Sequence, residues 1–291
     1  MRTKIIAEVG ECFNGNLDTA YQMIEEAKKA GCDIVKFQLL DMDEVAMDDP
    51  EYDWFAKLNL PPEKIASLIR KAEECGIGIL FTPVSVKTAQ FIYEAGQKSV
   101  KIASSFINKT ELLQYINEHF ETVYVSTGMA QLEEIAAVIE LLNRPQEIII
   151  LHCVSEYPTG PLLEERGLCA LDEKDVHMNM MGILKMLYPH FQIGYSDHTD
   201  TILAPVVAAA MGADVIEKHF TLDRTTPIAH FNRKEEYMGT DHVLSIEPPL
   251  LREMVAQIRR TETIRGAWKW ERSDGEKILK DFLRGRYTER E

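Results

Sequence analysis

The sequence predicts a (β/α)8 TIM barrel, in which eight parallel strands alternate with eight helices. Eight short runs rich in Ile, Val and Leu alternate with stretches whose apolar residues recur at helical spacing. Such runs are typical of parallel strands that are buried on both faces. Connections from helix to strand are mostly short, whereas three connections from strand to helix are long, at about 39–61, 153–174 and 220–247. All three therefore belong to the C-terminal ends of the strands, where barrel active sites form.

The predicted elements follow one another without a break, which favours a barrel over an open sheet. Glycine stands where the C-caps of several predicted helices belong. We expect residues 1–265 to form the catalytic barrel and residues 266–291 to form a highly charged helical tail. The predicted strands are 5–9, 34–37, 77–81, 100–103, 123–125, 148–151, 191–195 and 215–217. The predicted helices are 17–30, 62–75, 87–95, 111–118, 132–142, 176–187, 202–211 and 249–264.

Composition narrows the class of protein. A chain of 291 residues with 45% hydrophobic and 27% charged residues can bury a full core. Its formal net charge of -15 argues against nucleic acid and anionic membranes as partners. The five cysteines are scattered and form no CxxC pair, and no apolar stretch approaches the length of a membrane span. We expect a cytoplasmic protein in a reducing compartment.

Charged or hydroxylated side chains end nearly every predicted strand, where a strand that only packs should end in Val, Ile or Leu. Two ammonium groups can neutralise a phosphate dianion, and hydroxyl groups can donate to its oxygens. For a single lysine, an ion-paired structural side chain is an equally good interpretation. Two lysines inside buried strands favour a site, because burying an unpaired charge is costly. The residues assigned to this phosphate pocket are Lys36, Thr82, Lys101, Ser104, Ser126 and Gly128.

Two histidines follow neighbouring predicted strands and are candidates to bind a metal ion. His198 follows the seventh strand and His219 follows the eighth, so both imidazoles should emerge at the same end of the barrel. Two imidazoles favour a transition ion such as manganese, cobalt or zinc over calcium. Asp197 is a candidate to orient one of the histidine ligands as a supporting carboxylate that does not itself bind the ion. A lone histidine is more often a hydrogen-bonded structural group, and His152, His230 and His242 are weaker candidates for that reason.

Nine stretches together resemble the sialic acid synthase family, which includes the N-acetylneuraminate, pseudaminate and legionaminate synthases. They span about residues 4–265 in the order found in the family. The resemblance agrees with the predicted barrel and implies an activity that the spacing of residues alone does not specify. The matching stretches are 7–10 (AEVG), 35–38 (VKFQ), 81–83 (FTP), 100–104 (VKIAS), 125–130 (VSTGMA), 151–158 (LHCVSEYP), 193–199 (IGYSDHT), 217–224 (EKHFTLDR) and 241–242 (DH).

The resemblance implies condensation of phosphoenolpyruvate with the open-chain aldehyde of a hexosamine-like sugar, giving a 2-keto-3-deoxy sugar acid and phosphate. It implies that His198 and His219 hold a divalent ion, Mn²⁺ first, with Mg²⁺ or Co²⁺ as alternatives. It also implies a homodimer, and it assigns phosphoenolpyruvate to the phosphate pocket. The candidates to position the sugar or move protons are Glu8, Glu217 and Asp241. The further substrate-binding candidates are Gln38, His152, Tyr157, Tyr195 and Lys218.

Three features depart from the family pattern. Cys12 and Phe13 stand where the family usually has Asn-His, and Phe106 stands where it usually has glutamate. The family usually carries a C-terminal antifreeze-like domain, and we expect this sequence to lack it, either because the sequence is truncated or because the protein has no such cap. The charged and aromatic segment 228–240 is a candidate substitute lid. These changes predict a divergent synthase that keeps phosphoenolpyruvate and changes its sugar. Two alternatives stay open: a metal-dependent aldolase and a catalytically idle barrel that binds a sugar.

Overall fold

The computed structural model describes residues 2–49, 52–157, 171–230, 235–238, 240–267 and 269–286. Eight parallel strands form one sheet in the order β3-β2-β1-β8-β7-β6-β5-β4. The two end strands, β3 and β4, lie side by side, so the sheet curls into a nearly closed barrel. The predicted (β/α)8 barrel is confirmed. The strands are β1 Lys4–Glu8, β2 Ile34–Leu39, β3 Gly78–Pro83, β4 Ser99–Ile102, β5 Thr122–Ser126, β6 Glu147–Cys153, β7 Gln192–Asp197 and β8 Val215–His219.

Helices separate successive strands of the barrel. Local signals set several of their ends: Asn16 caps the first helix with its side chain, and Gly31 and Gly76 end two helices in the left-handed conformation. The described helices are α1 Leu17–Ala30, α2 Tyr52–Leu58, α3 Pro62–Cys75, α4 Val86–Glu94, α5 Thr110–His119, α6 Leu132–Leu141, α7 Asn179–Leu187, α8 Leu203–Ala210, α9 Thr240–Leu244, α10 Pro248–Arg265 and α11 Asp274–Gly285.

Successive residues of each barrel strand face opposite layers, as the pleat of a strand requires. One small cluster fills the inside of the barrel, and a much larger one lies between the strands and the helices. Ile149 and Leu151 of β6, for example, face inward, whereas Ile148 and Ile150 pack toward the helices. The inner cluster consists of Ile6, Leu80, Tyr124, Ile149, Leu151 and Val215. This alternation decides which polar residues at the strand ends reach the mouth of the barrel.

The last helix of the barrel, α10, ends at Arg265, and the separate helix α11 follows it. No residue of α11 is buried, and Ile278 and Phe282 on its apolar side are exposed. An antiparallel pair, β9 Pro227–His230 and β10 Glu235–Met238, precedes α9. The side chains of the lid candidate 228–240 lie outside the described residues. Within the described part of the chain, no helix combines the length and the apolar character needed to cross a membrane.

Candidate active site at the mouth of the barrel

A cavity of about 330 Å³ opens at the C-terminal ends of the barrel strands. Most of the predicted site residues line it together, although they come from six strands and from segments outside the strands that are far apart in sequence. The cavity therefore lies where the barrel topology places an active site. The predicted residues that line it are Glu8, Lys36, Gln38, Thr82, Lys101, Ser104, Ser126, Tyr157, His198, Glu217, His219 and Asp241.

Two buried ion pairs form the floor of the cavity. The Nζ atom of Lys36 lies 2.6 Å from Oε2 of Glu8 and 3.9 Å from Oε2 of Glu217, and the Nζ atom of Lys101 contacts Oε1 of Glu217. All four side chains are at most 5% exposed. Both lysines are thus ion-paired, and both face the cavity with their charge still available to an anion.

The two carboxylates of the floor have opposite pKa shifts. Burial, together with the charge of Glu217, outweighs Lys36 and raises the pKa of Glu8 to about 7. Burial also favours the neutral form of Glu217, but Lys101 and Lys36 outweigh it and lower the pKa of Glu217 to about 2. Glu217 therefore stays ionised and holds the lysines, whereas Glu8 can take up or release a proton near neutral pH.

Hydroxyl groups and a close backbone turn complete the cationic side of the cavity. The Oγ atom of Ser126 is buried and has no hydrogen-bond partner among the described residues. The backbone N–H of Gly128 donates to Oγ of Ser104 at 3.0 Å. A Cβ atom at Gly128 would clash with Oγ of Ser155 and would lie 2.7 Å from Oγ of Ser104. This side of the cavity thus offers two ammonium groups and several hydroxyls to an anion of phosphate size.

The two candidate imidazoles lie side by side, with ring centroids 5.0 Å apart. In His198, Nε2 is 2.9 Å from the hydroxyl of Tyr157, and Nδ1 is 3.5 Å from Sγ of Cys153. In His219, Nδ1 is buried without a hydrogen-bond partner among the described residues and lies 3.9 Å from Oδ1 of Asp241. Burial, helped by the charge of His198, holds the pKa of His219 well below its usual value. His219 is therefore neutral, which is the form that binds metals.

The described side chains limit how many protein ligands a metal ion could have in this cavity. Among the described residues, no group of three or more His, Cys, Asp or Glu side chains is arranged to hold a metal ion. Two imidazoles facing one polar cavity, one of them with an unpaired buried nitrogen, fit an ion that takes its other ligands from water or substrate.

Three predicted substrate-binding residues do not reach the cavity, and this part of the prediction is corrected. His152, Tyr195 and Lys218 are buried in the layer between strands and helices. Each lies one residue away from an inward-facing position, so the pleat turns its side chain outward. The Nε2 atom of His152 lies 2.8 Å from the carbonyl oxygen of Val176 instead.

Asp197, the candidate carboxylate to orient a metal ligand from outside the set of ligands, belongs to the same outer layer. Its carboxylate accepts hydrogen bonds from the hydroxyl of Tyr195 at 2.6 Å and from Oγ1 of Thr199 at 3.0 Å. It also pairs with Nζ of Lys218 at 2.6 Å, and both charged side chains are 0% exposed. The cluster of these four residues fixes the backbone on both sides of His198 rather than touching the cavity.

The sequence analysis missed several residues that line the cavity. Ser196 and Cys153 face inward on their strands, and Ser196 stands two residues before His198, so strand alternation would have identified it. Burial opposes ionisation of Cys153, but His198 outweighs it and lowers the pKa of the thiol to about 7. Loop residues such as Glu11 carry no comparable signal. The missed residues are Glu11, Ala103, Ser105, Met129, Cys153, Ser155 and Ser196.

The departures from the family pattern lie in the core rather than in the described lining of the cavity. Cys12 and Phe13 are buried, and Phe13 packs edge-on against Phe37 at a centroid distance of 6.0 Å. Phe106 is half-buried under Nζ of Lys109, which is 5.0 Å from its ring centroid. His242 is also structural, since its Nδ1 atom lies 2.7 Å from Oγ1 of Thr221. His230 lies outside the residues whose side chains are described.

A family model, related sequences and a solved structure all resemble this chain over most of its length. The family model of the NeuB family matches residues 23–269. An uncharacterized protein from Methanocaldococcus jannaschii is 37% identical over 279 residues, covering 95% of this chain and 74% of the relative. The N,N'-diacetyllegionaminic acid synthase of Legionella pneumophila is 31% identical, covering 98% and 79%. The crystal structure of N-acetylneuraminic acid (sialic acid) synthetase from Leptospira borgpetersenii in complex with citrate superposes with a TM-score of 0.84 at 30% identity, covering 99% and 94%.

Proposed function

Because the chain belongs to the NeuB family, we propose that it is an enzyme that condenses phosphoenolpyruvate with the open-chain aldehyde of a sugar. The observation that carries this proposal is the composition of one cavity. Lys36 and Lys101 face it from one side together with the unpaired hydroxyl of Ser126, and His198 and His219 face it from the other. A three-carbon phosphorylated acid and an aldehyde can therefore meet within it.

The reaction requires one carbon–carbon bond to form and one carbon–oxygen bond to break. Atom C3 of the enol attacks the aldehyde carbon, water adds to C2, and the tetrahedral intermediate expels phosphate to leave a 2-keto acid. Lys36 and Lys101 bind the anionic groups of phosphoenolpyruvate and offset the charge that develops. Glu8, with its pKa of about 7, is the residue best suited to move a proton at neutral pH.

A divalent ion completes this proposal. His198 and His219 would hold it, with Mn²⁺ expected first and Mg²⁺ or Co²⁺ as alternatives, and when bound it polarises the aldehyde oxygen. The unpaired, buried Nδ1 atom of His219 supports this assignment, because buried polar atoms in proteins are normally paired.

The aldolase alternative is less well supported when it requires a Schiff base. A lysine that attacks a carbonyl must lose its proton, and it needs a lowered pKa to do so near neutral pH. Burial would lower the pKa of Lys36, but Glu217 and Glu8 outweigh it and raise that pKa. Borohydride treatment in the presence of pyruvate or an aldose is therefore expected to leave the mass of the protein unchanged, and a trapped adduct would favour the aldolase.

The decisive experiment measures consumption of phosphoenolpyruvate and release of phosphate with Mn²⁺ and a panel of hexosamines, pentoses and aldose phosphates. We expect both to occur only when an aldehyde is present. Failure with every aldehyde would contradict the proposed activity. If sugar bound in calorimetry without phosphoenolpyruvate or metal, the result would favour an idle sugar-binding barrel.

Replacing His219 with alanine is expected to abolish metal-dependent turnover. Loss of groups that merely support a metal ligand already costs about 10–100-fold in affinity, so loss of the ligand itself should cost at least about 100-fold. Titration calorimetry with Mn²⁺ measures this change independently of activity. The control is His190→Ala, which removes an exposed histidine at the opposite end of the barrel. Equal Mn²⁺ affinity in the two variants would refute the assignment.

Replacing Gly128 with alanine is expected to weaken phosphoenolpyruvate binding without unfolding the barrel. The new Cβ atom would displace the hydroxyls of Ser155 and Ser104, which can rotate away but then point elsewhere. Loss of one or two hydrogen bonds to the anion should raise KM for phosphoenolpyruvate by about tenfold. Gly182→Ala is the control, because a Cβ atom at this helical position meets nothing within 4 Å. An unchanged KM in Gly128→Ala would remove this turn from the binding site.

A further inference from the structure

We propose that the hydroxyl of Tyr157 competes with the divalent ion for His198, so that the ion gains this imidazole only by displacing the tyrosine. This inference rests on the proposed function, because it takes His198 and His219 as the residues that hold the ion. It depends on a difference between the two rings in their hydrogen-bond partners. The phenol ring of Tyr157 lies in the cavity beside both of them.

Both ring nitrogens of His198 already have partners within the chain. Nε2 lies 2.9 Å from the hydroxyl oxygen of Tyr157, and Nδ1 lies 3.5 Å from Sγ of Cys153. Each ring nitrogen carries either one hydrogen or one lone pair, so a nitrogen that makes a hydrogen bond cannot bind an ion at the same time. This holds whichever of the two atoms is the donor. An ion can therefore bind His198 only after one of these two contacts has been broken.

The positions of the two partners indicate which contact breaks. Cys153 is the last residue of β6, where it pairs with Ser196 of β7, and its Sγ atom also lies 3.2 Å from Oγ of Ser155. Tyr157 follows β6 in a segment that is neither helix nor strand. Its side chain can therefore turn away without disturbing the barrel, whereas the sulfur cannot. Nε2 of His198 is thus the nitrogen that receives the ion.

His219 shows the opposite state. Its Nδ1 atom is buried and has no hydrogen-bond partner among the described residues. The centroids of the two imidazoles are 5.0 Å apart, and the phenol ring stands edge-on to both, at 4.8 Å from His198 and 6.1 Å from His219. The tyrosine therefore contacts the two rings that one ion would join, but its hydroxyl occupies a nitrogen of only one of them.

This competition should weaken the binding of the ion. The net free energy of one hydrogen bond corresponds to about twofold to tenfold in an equilibrium constant, and the ion has to replace the bond between Tyr157 and His198. Tyr157→Phe keeps the aromatic ring and its edge-on contacts but removes the hydroxyl, so it leaves Nε2 of His198 open. The variant should therefore bind the ion more tightly, whereas removal of a polar group that holds an ion would weaken binding.

Titration calorimetry with Mn²⁺ alone, without phosphoenolpyruvate or sugar, tests the inference. We expect Tyr157→Phe to bind Mn²⁺ about threefold to tenfold more tightly than the unchanged protein. Tyr188→Phe is the matched control, because Tyr188 follows α7 and packs against Phe191 at a centroid distance of 6.1 Å, outside the cavity. Equal or weaker binding by Tyr157→Phe would overturn the inference and leave the metal assignment intact. If the unchanged protein bound no Mn²⁺, both would be overturned.

A second measurement follows the tyrosine hydroxyl itself. The near-ultraviolet absorbance of a phenol changes when its hydroxyl loses a hydrogen-bond partner, and Mn²⁺ contributes little absorbance there. We expect Mn²⁺ to produce a tyrosine difference spectrum in the unchanged protein and in Tyr188→Phe, but not in Tyr157→Phe. The same spectrum in all three proteins, or none in the unchanged protein at saturating Mn²⁺, would show that the ion does not displace Tyr157.

Discussion

Replacing Lys218 with methionine is expected to reduce the free energy of unfolding by about 3–5 kcal/mol. Methionine keeps most of the length of the unbranched side chain but removes the charged partner of Asp197, and both side chains of the native pair are 0% exposed. The remaining carboxylate would then be buried with neutral hydrogen-bond donors only: the hydroxyls of Tyr195 and Thr199 and the backbone N–H of Thr199. Chemical denaturation followed by circular dichroism measures the change.

A surface pair provides the control for this prediction. Lys29 pairs with Glu26 at 2.8 Å on α1, but its side chain is 61% exposed. Lys29→Met should therefore change the stability by less than about 1 kcal/mol. If Lys218→Met were as stable as Lys29→Met, the ion pair with Asp197 would not be a structural requirement of the barrel. Addition of Asp197→Asn to Lys218→Met should recover part of the loss, because the uncompensated charge is then absent.

Replacing Lys101 with methionine is expected to have the largest effect on activity among the lysine variants. Removing one partner of a buried charge pair costs about 2–5 kcal/mol, which corresponds to a fall in kcat/KM for phosphoenolpyruvate of about 30-fold to several thousandfold. The loss should appear mainly for phosphoenolpyruvate, because Lys101 lies on the cationic side of the cavity with Lys36 and Ser126.

Two measurements separate this effect from simple loss of stability. Lys101→Met combined with Glu217→Gln restores charge balance on the floor, so it should regain stability but not activity. Lys98→Met is the matched control, because Lys98 precedes the same strand, is 55% exposed and pairs weakly with Glu121 at 3.8 Å. Full activity in a stable Lys101→Met variant would remove this lysine from the site.

Most of the fold could be predicted from the sequence because its signals are local and repeated. Buried parallel strands need apolar runs, and every predicted run has a strand in the structure. The differences arise where local geometry overrides the apolar pattern. The helix predicted from 176 begins at Asn179, because Glu173–Asp175 forms a 3-10 turn and His177 has a φ of 48°. The helix Tyr52–Leu58 is too short to show a period within a long loop.

The candidate site was predictable where residue type and strand position agreed. Lys36, Lys101 and Glu217 are charged residues within apolar runs, and all three are buried at the floor of the cavity, where Glu217 pairs with both lysines and so offsets the cost of their burial. The predictions for His152, Tyr195 and Lys218 fail for one reason. A polar residue at a strand end faces the mouth of the barrel only if the pleat turns its side chain inward, and residue type alone does not show this. Loop residues such as Glu11 could not be placed, because their position depends on contacts with residues far away in sequence, such as Asp241.

The cluster of Tyr195, Asp197, Thr199 and Lys218 joins β7 to β8 behind the two imidazoles. Asp197 is the chain neighbour of His198, and Lys218 is the chain neighbour of His219, so one buried ion pair connects the backbone positions that carry both rings. The spacing of the two imidazoles is therefore set from outside the cavity, by contacts that a bound molecule does not touch.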